Sequence, residues 1–119
     1  MGTEDMGTKL LQRLLSAADL RARVIASNLA NQSTPGYTRR VVEFEAKLRS
    51  AMDNPRGGID DVEPEIVLDR DSPARPDGNN VTLELELNAL RENRLLYETY
   101  ASMLGGHFQL LDAAVREGR

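Results

Sequence analysis

Leu11, Leu15, Ala18, Ala22, Ile25 and Leu29 recur at alternating spacings of four and three. That period gathers apolar side chains on one face of an α-helix, as in a heptad seam. Leu10, Leu14 and Val24 widen the stripe, and the pattern predicts a helix over about residues 7–31. The helix should stop near Asn31, a residue type that tolerates the left-handed conformation, because Pro35 cannot continue it. Ser33-Thr34-Pro35-Gly36 then reads as a tight turn. Proline presets its own φ there, and glycine supplies the positive φ of a type II turn.

A longer pattern follows near the other end. Leu83, Leu87, Leu90, Arg94, Tyr97, Ala101, Leu104, Phe108, Leu111 and Val115 share one four-three register, with Arg94 its only charged member. Leu96, Tyr100, Met103, His107, Leu110 and Ala114 make the later half apolar over a wide arc. This predicts a helix over about residues 81–117, starting at Asn80, or at Thr82 with Glu84 and Glu86 close behind. An apolar arc this wide calls for more than one packing partner: the first helix, and something beyond it. Gly105-Gly106 interrupts the pattern. Each glycine costs about 1 kcal/mol against alanine in a helix interior, so the pair marks either a kink or a close approach by a neighbouring chain.

Between the helices, Phe44, Leu48 and Met52 at spacing four predict a short helix of about two turns. Residues 53–80 hold Pro55, Gly57, Gly58, Pro64, Pro73, Pro76 and Gly78 among many Asp. They read as a loop with a brief strand at Ile66-Val67-Leu68. The chain is therefore expected to be mainly α: paired, coiled-coil-like N- and C-terminal helices around a short irregular middle. The three stretches, 1–37, 38–80 and 81–119, together make one domain.

Composition narrows the packing. Three Tyr, two Phe and no Trp in 119 residues leave the core to Leu, Val, Ile and Ala, and short chains bury a smaller fraction of their surface. Helix-on-helix packing, within the chain or between subunits, fits better than a large closed core. The formal net charge is −4 and no segment is basic enough for a nucleic-acid surface; the adjacent Arg39 and Arg40 read as a solvated turn edge. Zero Cys excludes a disulfide framework and a thiolate metal site. Met1 to Thr8 is polar and is not expected to act as a Sec-type signal, no run approaches membrane-spanning length, and sequence rules alone place the chain in the cytoplasm.

No constellation supports an enzyme. The one His, His107, lies in an apolar stripe and reads as a packing residue. Asp60-Asp61-Val62-Glu63 and Asp69-Arg70-Asp71 lack the order and spacing of a calcium loop and read as solvated loop charges. Gly57-Gly58 has neither the preceding strand nor the following Lys of a phosphate loop. No cofactor, metal or small-molecule substrate is expected.

Ala30-Asn31 followed by Thr34-Pro35-Gly36-Tyr37, at the end of one long helix and with a heptad helix at the other end of the chain, resembles the signature of the flagellar rod, hook and hook-associated family. The middle of about 45 residues is too short for the large β domains of rod and hook members that carry them. Pro76-Asp77-Gly78-Asn79-Asn80-Val81-Thr82-Leu83-Glu84, with Asn93-Arg94-Leu95-Leu96-Tyr97, is similar to the proximal-rod branch. The resemblance covers about two thirds of the chain. It implies a structural subunit of the basal-body rod in the periplasmic space that leaves the cell through the flagellar export apparatus without a cleaved signal. It implies a rod built through the terminal helices, linking the membrane ring to the distal rod and transmitting torque. The implied partners are other copies of the chain, other rod proteins and a membrane-ring or ring-adaptor protein. Leu11, Leu15, Ala18, Ala22, Ile25 and Leu29, with Leu83, Leu87, Leu90, Tyr97, Ala101, Leu104, Phe108, Leu111 and Val115, would form the assembly seam. Phe44 and Leu48 resemble the short Phe-x-x-x-apolar element of early export substrates, although packing of a short amphipathic helix produces the same spacing and is the preferred reading. A helical-hairpin adaptor or secretion chaperone explains the heptads equally well, but not the Thr-Pro-Gly-Tyr turn.

Overall fold

The computed structural model describes residues 6–56 and 58–118. Helix α1 is Met6–Ala30, strand β1 Arg40–Glu43, helix α2 Glu45–Asp53, strand β2 Glu65–Leu68 and helix α3 Leu83–Glu117, with a 3-10 turn at Ile59–Asp61. Residues 1–5, Gly57 and Arg119 lie outside the described residues, and with them part of the polar start, of the Gly57-Gly58 pair and of the stretch 81–119.

The two long helices pack against each other as an antiparallel pair. Asn28 meets Glu86 near one end, and Ala18 meets Asn93 further along. At 1.5 Å per residue, α3 is about 52 Å long and α1 about 37 Å. Carried on, this register puts the start of α1 opposite Gly105 and Gly106, so the last turns of α3 run past it. The molecule is accordingly elongated, 67 × 30 × 18 Å. α3 runs through Gly105-Gly106 without a break, and nothing lies within 4 Å of where a side chain on either glycine would start.

The most compact apolar cluster lies toward the start of α1. Ala17, Phe44, Leu48 and Ile59 are buried together, with Leu10, Leu14 and Val62 packed around them. Ala17 is small enough to let α2 close on α1, and Phe44 fills the space between. Burying a side chain of that size is worth about 1.5–3 kcal/mol. Met52, the third member of the spacing-four pattern, points away and is exposed.

β1 and β2 form an antiparallel two-stranded sheet in the register Arg40↔Leu68, Val41↔Val67, Val42↔Ile66 and Glu43↔Glu65. The sheet lies on α1 through β1. The Asp69 N–H donates to the Arg39 carbonyl at 2.7 Å and carries the pairing one step further. The glutamates Glu43 and Glu65 face each other at its end, and Lys47 reaches Glu65 Oε1 at 2.5 Å. β2 lies where the apolar run at 66–68 predicts a strand; β1 has no counterpart in the sequence reading.

Two helix-end expectations change. Among the described residues no non-glycine has positive φ, so Asn31 does not end α1 by turning left-handed. Its side chain works instead: Nδ2 donates to the Ser27 carbonyl at 2.8 Å, and Oδ1 accepts from the Thr34 hydroxyl at 3.1 Å. At the start of α3, Thr82 occupies the cap position without a side-chain cap bond, and Glu84 and Glu86 stand in the first turn. Asn80, the other candidate, is committed elsewhere.

Candidate functional site

The Thr-Pro-Gly-Tyr turn closes when the Tyr37 N–H donates to the Thr34 carbonyl at 3.2 Å. Pro35 and Gly36 are its two central residues, one position later than a turn drawn from Ser33 to Gly36. Gly36 has φ +75°, the value a type II turn needs at its third residue. The Tyr37 hydroxyl then donates back to Asn28 Oδ1 at 3.1 Å. Arg40 stacks over the Tyr37 ring, 5.9 Å from its centre, a cation–π distance.

A second turn rests on the first. The Gly78 N–H donates to the Arg75 carbonyl at 2.8 Å, and Gly78 has φ +87°. Pro76 and Asp77 fill the centre, as proline and aspartate do in type I turns. The Gly36 N–H donates to the Asp77 carbonyl at 2.8 Å. Asn79 ties the two turns together: its Nδ2 donates to the carbonyls of Asn31 at 2.8 Å and Thr34 at 2.9 Å, while its Oδ1 accepts from the Val81 N–H at 2.7 Å. Arg75 adds Nη bonds to the carbonyls of Gln32 and Val81, both at 2.5 Å.

Behind the turns lies a buried polar junction. Asn28 grips both backbone groups of Arg40, with Nδ2 to the carbonyl at 2.8 Å and Oδ1 from the N–H at 3.0 Å. Asn80 repeats the device between Arg39 and Asp69: Oδ1 accepts the Arg39 N–H at 2.6 Å, and Nδ2 donates to the Asp69 carbonyl at 2.7 Å. Arg39 bridges two carboxylates, Nη1 to Asp69 at 2.9 Å and Nε to the fully buried Glu86. Burial works against the Arg39 charge, but the hydrogen bonds to Glu86 and Asp69 outweigh it and raise its pKa. The Asp69 carboxyl is held at about 2, first by the Ser72 hydroxyl, which outweighs the cost of burial, then by Arg39 and the N–H groups of Asp71 and Ser72.

Arg39 and Asp69 are thus not the solvated charges their sequence context suggests. They are the polar centre joining hairpin, loop and α3. Asp60 and Glu63 do remain on the surface, paired with Lys9 at 3.5 Å and Arg13 at 3.3 Å. Among the described residues no group of His, Asp and Glu side chains is arranged to hold a metal ion.

The seam residues divide by helix. On α1, Leu11, Ala18 and Ile25 are buried, and Leu15, Ala22 and Leu29 half-buried. On α3, Leu87, Leu90 and Leu104 are half-buried, whereas Leu83, Tyr97, Ala101, Phe108, Leu111 and Val115 are exposed. Leu110 is 72% exposed and Val115 66%. The positions α3 does bury are Glu86 and Asn93. Of the motif, Asn31 and Tyr37 are half-buried, and Ala30, Thr34, Pro35 and Gly36 are exposed. Phe44 and Leu48 are core residues, so an export signal made of them is legible only in an unfolded chain. Sequence reasoning missed Asn28, Arg39, Asp69 and Glu86; Asn79 and Asn80 stood inside the proximal-rod segment without a role.

The model of the family "Flagella basal body rod protein" matches residues 13–38, from the first third of α1 through the Thr-Pro-Gly-Tyr turn. The chain is similar to the flagellar basal body rod protein FlgB of Borrelia hermsii, 31% identical over 98% of this chain and 100% of that protein. It is also similar to FlgB of Bacillus subtilis, at 29% identity over 92% of each, and to FlgB of Proteus mirabilis, at 25% over 90% of this chain and 91% of that one.

Proposed function

The chain belongs to the FlgB family of flagellar basal body rod proteins, and from that premise we propose how its fold serves the rod. It is a structural subunit of the flagellar basal body. In our reading it polymerises through its terminal helices. α1 is covered on one side by α2 and on another by α3. α3 is covered by α1 along only part of its length, and its outward positions meet the helices of neighbouring subunits.

The carrying observation is the far end of α3. There Phe108, Leu110, Leu111 and Val115 stand in solvent on a helix that has outrun α1. Phe108, Leu111 and Val115, at spacings of three and four, share one helix face and form a patch that monomers seldom leave uncovered. Other copies of this chain and other rod proteins are the proposed occupants, with a membrane-ring or ring-adaptor protein at one end of the stack. The three stretches, 1–37, 38–80 and 81–119, move as one unit because the junction around Arg39 ties them. That rigidity suits a part that transmits torque. The location follows: the rod section in the periplasm, reached through the flagellar export apparatus with no cleaved signal.

The test is Phe108→Asp in a strain lacking the native gene, with secreted protein and isolated basal bodies assayed side by side. The variant should be secreted and fail to build a rod. Normal rods carrying Phe108→Asp would refute the seam; rod-independent binding to a single soluble partner would favour the adaptor reading.

A further inference from the structure

α3 buries polar residues where an ordinary surface helix buries its leucines most deeply. Among the described residues, the two it buries are Glu86 and Asn93, while Leu85, Leu95 and Leu110 face solvent. Glu86 and Asn93 are seven residues apart, on one column of the helix. The column continues through Tyr100 and His107, both half-buried. Polar groups thus hold the centre of the face that meets the chain's own α1, flanked by the half-buried Ala89, Leu90 and Leu96, while Leu83, Leu85, Leu95 and Leu110 are turned to the outside.

Each of the two buried groups has a specific partner on α1. Asn93 Nδ2 donates to the Ala18 carbonyl at 2.8 Å. Glu86 Oε1 accepts from Asn28 Nδ2 at 3.3 Å and is paired with Arg39. Sliding α3 by one heptad, about 10.5 Å at 1.5 Å per residue, would detach both groups while they remain buried. A buried polar group without a partner is strongly unfavourable, so alternative alignments are penalised together. Neither group is optimised for stability: Glu86 Oε2 and Asn93 Oδ1 are buried with no hydrogen-bond partner among the described residues. An apolar side chain at position 93 would avoid that cost. Buried polar residues of this kind, placed in a helix seam, fix alignment and partner choice at the expense of stability.

We infer that Asn93, with Glu86, is a register lock. It specifies one antiparallel alignment of α3 on its own α1 and excludes a second apolar helix, such as α3 of another copy, from that face. The inference concerns pairing within one chain and stands apart from how subunits meet in the rod.

The chain has no Cys, so engineered pairs report alignment cleanly. Ala22 and Leu90 line one cleft between the helices, and a double variant Ala22→Cys/Leu90→Cys marks the native rung. Ala22→Cys/Leu83→Cys marks a slip of one heptad. Both pairs are oxidised in the purified full chain, with and without Asn93→Leu. The native background should form only the native rung. Asn93→Leu should raise the slipped-rung yield, or the yield of intermolecular cross-links through either pair, at least tenfold. Asn93→Met is run in parallel, since its flexible side chain fits where leucine would not, and circular dichroism confirms helix content. If the apolar variants that stay helical give the native rung alone, at wild-type yields, the lock is refuted.

Discussion

A side-chain carbon placed on Gly78 would stand 3.3 Å from the Cα of Gly36 and 3.6 Å from its nitrogen. The two turns touch backbone to backbone, and both glycines have positive φ. A non-glycine residue in the left-handed region costs roughly 1–2 kcal/mol. Gly36 has open space around it, so Gly36→Ala should lose about that much stability. Gly36→Val should lose more, because a β-branched residue is a worse fit to positive φ. Gly78→Ala carries the same conformational cost plus the crowding against Gly36, and should be the more destabilising of the two alanine variants. Urea unfolding of the three purified variants measures the order. Gly78→Ala at or above the stability of Gly36→Ala would contradict the close approach.

Asn28 serves β1 as a neighbouring strand would, since one side-chain amide satisfies both backbone groups of Arg40. An aspartate of the same shape can accept the Arg40 N–H but has no proton for the Arg40 carbonyl, and it sets a second carboxylate beside Glu86. Leaving a buried polar group unpaired costs about 1–3 kcal/mol, and the like charge adds to it. Asn28→Asp should therefore lose roughly 2–4 kcal/mol at neutral pH and regain part of it in acid, as the new carboxyl protonates. A stability difference from wild type that does not shrink between pH 7 and pH 4 would count against this geometry.

The pH dependence of the wild type has a different origin. Asp69 titrates at about 2 in the folded chain, against an ordinary 3.8. A depressed carboxyl contributes its stability above the unfolded value and loses it as pH falls through the folded one. The window is thus from just above pH 4 down to about pH 2. At about 1.4 kcal/mol per unit, the contribution is on the order of 2 kcal/mol. Asp69→Asn should remove that part of the acid dependence. Unfolding free energies of both proteins from pH 6 to pH 2 should converge by about that amount. Parallel curves would show that Asp69 is not the group responsible.

The parts of the fold legible in the sequence are those set by local rules. Both long helices, the two-turn helix after Phe44 and the strand at 66–68 each announce themselves by period, and Gly36 by the Pro-Gly dipeptide. What was not legible depends on partners distant in sequence. Arg40 to Glu43 becomes a strand because Asn28 and β2 offer hydrogen bonds to it, and nothing in Arg-Val-Val-Glu states that. Arg39 looks solvated until Asp69 and Glu86 arrive from residues 30 and 47 positions away. Reading α3 by its apolar register selects the half-buried Leu87, Leu90 and Leu104 and otherwise positions that face outward, because the two fully buried positions are polar. The seven-residue spacing of Glu86, Asn93, Tyr100 and His107 was a visible signal for that column, and pattern reading passes over it by looking for leucines.

The same arrangement separates folding from assembly, and two substitutions test the separation. Phe44 is buried among Ala17, Leu48 and Ile59, whereas Leu110 is exposed beyond the start of α1. Phe44→Ala removes a core side chain and leaves a cavity, and should lower the stability of the purified chain by about 3–5 kcal/mol. Leu110→Asp alters a solvated position, and should leave it within about 0.5 kcal/mol of wild type. Rod assembly should rank the pair the other way. In a polymer the contact at Leu110 recurs in every subunit, and a charge buried there without a partner costs several kcal/mol each time. Leu110→Asp should therefore be folded, secreted and unable to form a rod. Phe44→Ala should give rods in reduced number, since neighbours that cover α3 stabilise the folded subunit by mass action. Its secretion bears on the export element: wild-type levels leave Phe44 and Leu48 as packing residues, and a drop assigns them to export. Chemical denaturation, culture-supernatant blots and basal-body preparations supply the three readouts. Rods built normally from Leu110→Asp subunits would remove the far end of α3 from the polymer interface.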